Sequence, residues 1–117
     1  MNKLLVGTAC CALFLSSCIT TEKPLYSWGN YEQTSYNYYK QQTPEATEAL
    51  LKTYEQMIKY QSQSQRKILP PGISAEYGYL LIQAGKKEEG LAMLENEIKT
   101  YPQSKTFIER IIKMVKK

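Results

Sequence analysis

The chain has 117 residues and a net charge of +4, with three cysteines, no histidine and eleven acidic residues that are all glutamates. Histidine is the usual general base near neutral pH and the commonest metal ligand. Its absence excludes a serine–histidine–acid triad, a cysteine–histidine dyad and a zinc site of the usual type.

Lys3 near the start of the sequence is followed by an apolar run from Leu4 to Leu15, and Leu15-Ser16-Ser17-Cys18 closes that run. A basic start, an apolar stretch and small residues before a cut form the layout of an export signal. A cysteine directly after the small residues resembles the bacterial lipobox, in which the thiol accepts a diacylglyceryl group and the leader is removed. Residues 1–17 are therefore expected to be a cleaved lipoprotein signal peptide, with lipidated Cys18 as the first mature residue. The apolar run falls short of the roughly 20 residues of a spanning helix, so the lipid is the expected membrane attachment. Cys10 and Cys11 leave with the leader. The mature chain then has no thiol for a disulfide, a redox pair or a metal, and packing alone must hold one small exported domain.

Residues 18–24 read as a short polar tether closed by Pro24, and the domain is expected over 25–117. Six aromatic residues fall between Tyr26 and Tyr39. Tyr31, Tyr38 and Tyr39 can share one side of a first helix over about 29–41. In Thr43-Pro44-Glu45, threonine suits the helix cap, proline the first helical position and glutamate the positive helix end. A second helix is predicted from about 44 to 61, with Ala46, Leu50, Tyr54, Met57 and Ile58 at three- and four-residue intervals. Gln61 to Gln65 has no apolar anchor and reads as a fraying linker.

Pro70-Pro71-Gly72 ends any preceding helix, and a third helix over about 73–84 is apolar nearly all round, until Gly85 stops it. A fourth helix follows Lys86 to Glu89, with Leu91, Leu94, Ile98 and Tyr101 on one face, and Pro102 ends it. Ser104 can cap a fifth helix carrying Phe107, Ile108, Ile111, Ile112 and Val115. Residues 18–104 hold nine basic and ten acidic groups, whereas 105–117 hold five basic and one acidic group. The basicity is thus a property of the last helix, and a general nucleic-acid surface is not indicated. That helix reads as a docked terminal element with a solvated basic side rather than a membrane-surface helix. No segment alternates apolar and polar residues over a sustained run, so the expected fold is all-α, with about five helices.

Gly78, Gly85, Gly90 and Pro102 suit two short antiparallel helices that cross closely, turn tightly and stop. The tetratricopeptide repeat solves that problem over about 34 residues. With Pro102 at the repeat's terminal proline, Gly78 falls at its leucine–glycine step, Gly85 at the turn and Gly90 at the small packing position. Tyr77 stands where leucine is usual and Ser74 where tryptophan is usual. A tetratricopeptide-like hairpin over about 71–104 is therefore expected. Its first helix offers Ala75, Tyr79 and Ile82 either to a partner segment or to cover by residues 26–61. Tyr26, Trp28 and Tyr31 suit core and interface packing, with stacking on sugar rings as an alternative. A glutamate pair or a serine–lysine pair comes with no recognisable motif, and there is no glycine-rich phosphate loop. The chain therefore reads as a protein that is not an enzyme and uses no metal or cofactor.

Three ordered stretches together carry a resemblance. They are Leu25-Tyr26-x-Trp28-Gly29-x-Tyr31-Glu32, then Pro70-Pro71-Gly72-Ile73-x-Ala75-Glu76-x-Gly78-Tyr79-Leu80, and last Glu95-x-Glu97-x-Lys99-x-Tyr101-Pro102-x-Ser104-x-x-Phe107-Ile108. They resemble the signatures of the DUF4810 family of small bacterial lipoproteins, with Tyr77 in place of a usual leucine and Gln103 in place of a usual glutamate. The resemblance implies an outer-membrane lipoprotein of Gram-negative bacteria, with its domain in the periplasm and no catalytic residues to carry over. It also implies genes for a CsgG-like (curli secretion channel-like) lipoprotein and a DUF799 lipoprotein nearby. Ile19 after the acylated cysteine is compatible with outer-membrane sorting. The expected role is a non-catalytic adaptor or assembly accessory with such an envelope protein as partner. The alternative is a peptidoglycan-associated, glycan-binding lipoprotein that uses Trp28 and its tyrosine neighbours.

Overall fold

A computed structural model describes residues 22–117; the expected leader, the acylation of Cys18 and Ile19 lie outside the described residues. The order is α1 (Tyr31–Gln41), α2 (Pro44–Tyr60), a 3-10 turn (Gln61–Gln63), α3 (Ile73–Gln83), α4 (Lys87–Thr100), a second 3-10 turn (Pro102–Ser104) and α5 (Lys105–Lys116). The fold class is all-α, as the periodicity predicts, and no helix among the described residues is long and apolar enough to cross a membrane.

α1 begins at Tyr31 rather than near 29, because Gly29 takes a left-handed φ of 53° and breaks the helical path. α2 starts as its capping residues dictate. Thr43 is extended, its Oγ1 accepts a hydrogen bond from the Ala46 amide at 3.2 Å, and Pro44 occupies the first turn. Thr43→Ala removes that acceptor and is expected to lower stability by about 1 kcal/mol, measured as a shift in the urea midpoint with an unchanged slope.

Gln61 to Gln65 does not fray. Ser64 is buried, its hydroxyl donates to the Gln61 carbonyl at 2.7 Å and it accepts from the Lys67 amide. The amides of Gln65 and Arg66 donate to the carbonyls of Pro24 and Leu25 at 3.0 and 3.2 Å. The Gln65 side chain reaches the Lys23 carbonyl. Polar pairing with a distant segment thus does what an apolar anchor would have done, and it fixes where the amino-terminal segment joins the domain.

The core gathers Leu50, Tyr54 and Met57 of α2, Leu69 of the following loop, and Ile73, Tyr77, Leu80 and Leu81 of α3. Tyr31 and Tyr38 of α1 pack on its edge. α3 and α4 form the expected hairpin. The amide of Gly85 donates to the Ile82 carbonyl, that of Lys86 donates to Leu81, and Gly85 has a φ of 87°. This pair of bonds with a left-handed glycine is the Schellman ending of a helix.

The helices touch backbone to backbone where Gly78 meets Gly90. A Cβ on Gly78 would lie 2.6 Å from the Gly90 carbonyl oxygen and 3.1 Å from the Leu94 amide nitrogen. Leu94 is wholly buried beside this crossing. Glu97 is buried too, and its Oε1 accepts from the Gly72 amide at 2.8 Å. This carboxylate thereby ties α4 to the positive end of α3.

Ser104 does not cap α5 as expected. Its backbone is already helical and its hydroxyl turns back to the Tyr101 carbonyl at 2.7 Å, away from the free amides ahead. α5 docks through Ile108, which is buried, while Ile111, Ile112 and Val115 are half-buried and Phe107 and Met114 stay exposed.

Candidate functional site

The residues singled out in the sequence divide between two places. Tyr26, Trp28 and Tyr31 form the outer part of a chain of rings that continues into the core through Tyr54 and Tyr77. Successive ring centres lie 6.3, 5.4, 6.0 and 5.3 Å apart, the range of favourable edge and tilted contacts. Trp28 is 44 % exposed at the outer part, Tyr26 is half-buried, and Tyr77 is buried. The aromatic segment is therefore both edge of the core and surface.

On α3, Tyr79 is 47 % exposed and Ala75 is half-buried. Ile82 points to α4: a Cβ on Gly90 would lie 2.5 Å from its Cγ1. Of these three, Tyr79 alone lines the groove that opens beside α3. That groove is a cavity of about 170 Å³ with Glu76, Tyr79, Leu80 and Gln83 on one wall. Tyr38 and Tyr39 of α1 and Leu50 and Tyr54 of α2 make the other. Residues 26–61 therefore supply one side of the groove and leave it open.

Glu76 is the centre of the groove's electrostatics. Its Oε2 accepts from the Tyr31 hydroxyl at 2.6 Å and from the Tyr54 hydroxyl at 3.1 Å. Burial, then the neighbouring carboxylate, holds the Tyr54 phenol far above its ordinary pKa, and the same two causes raise that of Tyr31. Both phenols thus remain protonated donors and fix the orientation of the carboxylate. Among the described residues its Oε1 has no hydrogen-bond partner, and no lysine or arginine lies within ion-pair distance of it. A larger hollow of about 460 Å³ lies along the flank of α1 by Gly29, Asn30, Glu32, Gln33 and Tyr36. Its described lining comes from one stretch of chain, so it lacks the facing wall that makes the smaller groove a site.

Sequence reasoning singled out Tyr31 and Tyr79 but missed Glu76, Tyr38, Tyr39 and Tyr54 as groove residues. The available signal was that Glu76 is the only charged residue of α3, in a helix otherwise apolar on nearly every side. Among the described residues, no three of histidine, cysteine, aspartate and glutamate come together as metal ligands.

No curated protein and no solved structure matches the chain. A family profile does match, over residues 25–111, from the first aromatic segment through most of α5. Its description is Domain of unknown function (DUF4810), and the chain belongs to that family.

Proposed function

We propose that the protein is an outer-membrane-anchored lipoprotein, held by lipid on Cys18, that acts as a non-catalytic adaptor or assembly accessory in a Gram-negative envelope. Its partner is another envelope lipoprotein, CsgG-like or DUF799-like. The observation that carries this reading is the open groove between α3 and the α1–α2 pair, lined by tyrosines around one oriented carboxylate. Tyrosine combines apolar area with a polar tip and is enriched at protein interfaces. The described lining of the groove offers phenols and a carboxylate for contact.

The amino-terminal attachment supports the anchor half of the reading. The Lys23, Pro24 and Leu25 carbonyls are bonded to residues 65 and 66. Cys18 stands five residues before Lys23, a span of at most about 18 Å of extended chain. A lipid on Cys18 would hold the domain close to the bilayer, where a membrane-bound partner meets it in two dimensions and at high local concentration.

The test is co-purification of crosslinked envelope proteins with the lipidated chain and with Cys18→Ala. The expected result is one envelope lipoprotein enriched with the lipidated form and reduced with the variant. Recovery of no envelope partner, with and without crosslinker, would overturn the reading.

A further inference from the structure

We infer that the Glu76 groove is a receptor for one basic side chain, a lysine or arginine carried by the partner protein. This inference deepens the adaptor reading and rests on it. Three features of the groove converge on an amphipathic cation.

The first is charge. Two phenols saturate Oε2 of Glu76 and hold the carboxylate in place, leaving Oε1 available. Among the described residues this carboxylate has one free oxygen and no cation beside it, which makes it complementary to an ammonium or guanidinium group, and such charge-assisted hydrogen bonds are the strong ones. The second is the wall. Tyr38, Tyr39 and Tyr79 line the same groove as the carboxylate, and aromatic rings are the side chains whose faces attract cations; the buried Tyr54 contributes its hydroxyl to Glu76. Leu50 and Leu80 add the apolar surface along which a lysine or arginine stem lies.

The third is size. At about 170 Å³ the cavity is smaller than the roughly 300–1,000 Å³ of pockets that enclose a drug-sized ligand. It suits one side chain. A single carboxylate among phenols is also a poor seat for calcium or magnesium, which take six or more oxygen ligands. Ligand number thus disfavours a bare metal ion, and charge complementarity selects a basic side chain over a neutral apolar segment.

The full chain in a non-ionic detergent can be titrated with n-butylammonium, with n-propylguanidinium and with the neutral isostere n-butanol, and followed by NMR of the tyrosine ring resonances. The expected result is that either cation shifts the Tyr38, Tyr39, Tyr54 and Tyr79 signals together, with n-butanol about tenfold weaker. Glu76→Gln keeps the shape and removes the charge, so it should weaken the cations about tenfold and leave n-butanol unchanged, at unaltered helix content. Equal response to n-butanol, or no response to either cation, would overturn the inference. A concentration-dependent dimer that Glu76→Gln dissolves would overturn it in favour of a second copy seated in the groove. Crosslinked co-purification separates the two readings. If Glu76→Gln retains every partner of the unaltered chain, the groove inference fails while the adaptor reading stands. If the unaltered chain recovers none, the adaptor reading fails.

Discussion

Gly78→Ala is expected to destabilise the domain by about 3 kcal/mol, a large part of the 5–15 kcal/mol that holds an ordinary domain together. The new methyl group would lie 2.6 Å from the Gly90 carbonyl oxygen and 3.2 Å from Leu94 Cγ. The closer obstacle is backbone, which no rotamer change can move. α3 and α4 must separate, and Leu94, wholly buried beside the crossing, loses its packing as they do. Gly90→Ala meets the same backbone contact from the other side, and also Ile82. Because the two glycines touch each other, the double variant should cost clearly less than the sum of the single ones.

Gly85→Ala provides a contrast. Open space surrounds its Cβ position, and the strain lies only in its φ of 87°. A cost of about 1–2 kcal/mol is expected there, from the left-handed conformation alone. Urea unfolding of the three variants checks the order. A loss at Gly78 no greater than at Gly85 would show that the hairpin crossing can relax. The site depends on this crossing, because Gly78 lies between Glu76 and Tyr79 and any shift of α3 moves both walls of the groove relative to each other.

Local signals made most of the fold legible in the sequence. Thr43-Pro44-Glu45, Pro70-Pro71-Gly72, Gly85 and Pro102 act through the conformation of their own few residues, and the helix limits they imply agree with the structure to within about two residues. The glycine pattern was legible for a different reason, since Gly78 and Gly90 have no function in an isolated helix and require a close neighbour.

Most illegible features had partners far along the chain. Residues 61–65 look like a linker because Gln65 and the adjoining Arg66 find their partners in the distant carbonyls of Lys23, Pro24 and Leu25. Glu97 looks like one more surface glutamate because the amide it caps belongs to Gly72. Ser104 looks like a cap, yet its hydroxyl found a nearer acceptor behind it. In the groove, Tyr79 was visible as an outward residue of a helical hairpin. The pairing of Glu76 with Tyr31 spans 45 positions and leaves one trace in the sequence, a lone charge on an apolar helix.

Base should unfold the domain unusually readily, and the tyrosine–glutamate cluster should be the reason. The phenols of Tyr31 and Tyr54 are held far above their ordinary pKa by burial and by Glu76, and burial also raises that of Tyr77. Tyr101, whose hydroxyl donates to the Leu69 carbonyl at 2.6 Å, is pushed up to about 12, by burial first and then by its neighbour Tyr26.

In the unfolded chain these phenols release their protons near pH 10, while the folded chain keeps them. The folded state therefore binds more protons above pH 10, and stability falls as pH rises. The stabilisation is fully present below pH 10 and is lost as the pH climbs toward the folded values. Tyr54, which is 2 % exposed, contributes about 1.4 kcal/mol per pH unit of this loss. The tyrosinate absorbance contributed by these four phenols should accordingly appear together with the loss of far-ultraviolet circular dichroism, above pH 10.

Tyr54→Phe separates the two roles of that phenol. At neutral pH it deletes a hydrogen bond to a carboxylate and should cost about 1.5 kcal/mol. Above pH 10 it deletes an ionisable group, so the decline in stability with pH should become shallower and the curves of variant and parent should converge. Tyrosine ionisation that runs ahead of the loss of helix, with all phenols titrating near pH 10, would show that Glu76 is not held as described. The groove would then lack the fixed carboxylate on which its proposed recognition of a basic side chain depends.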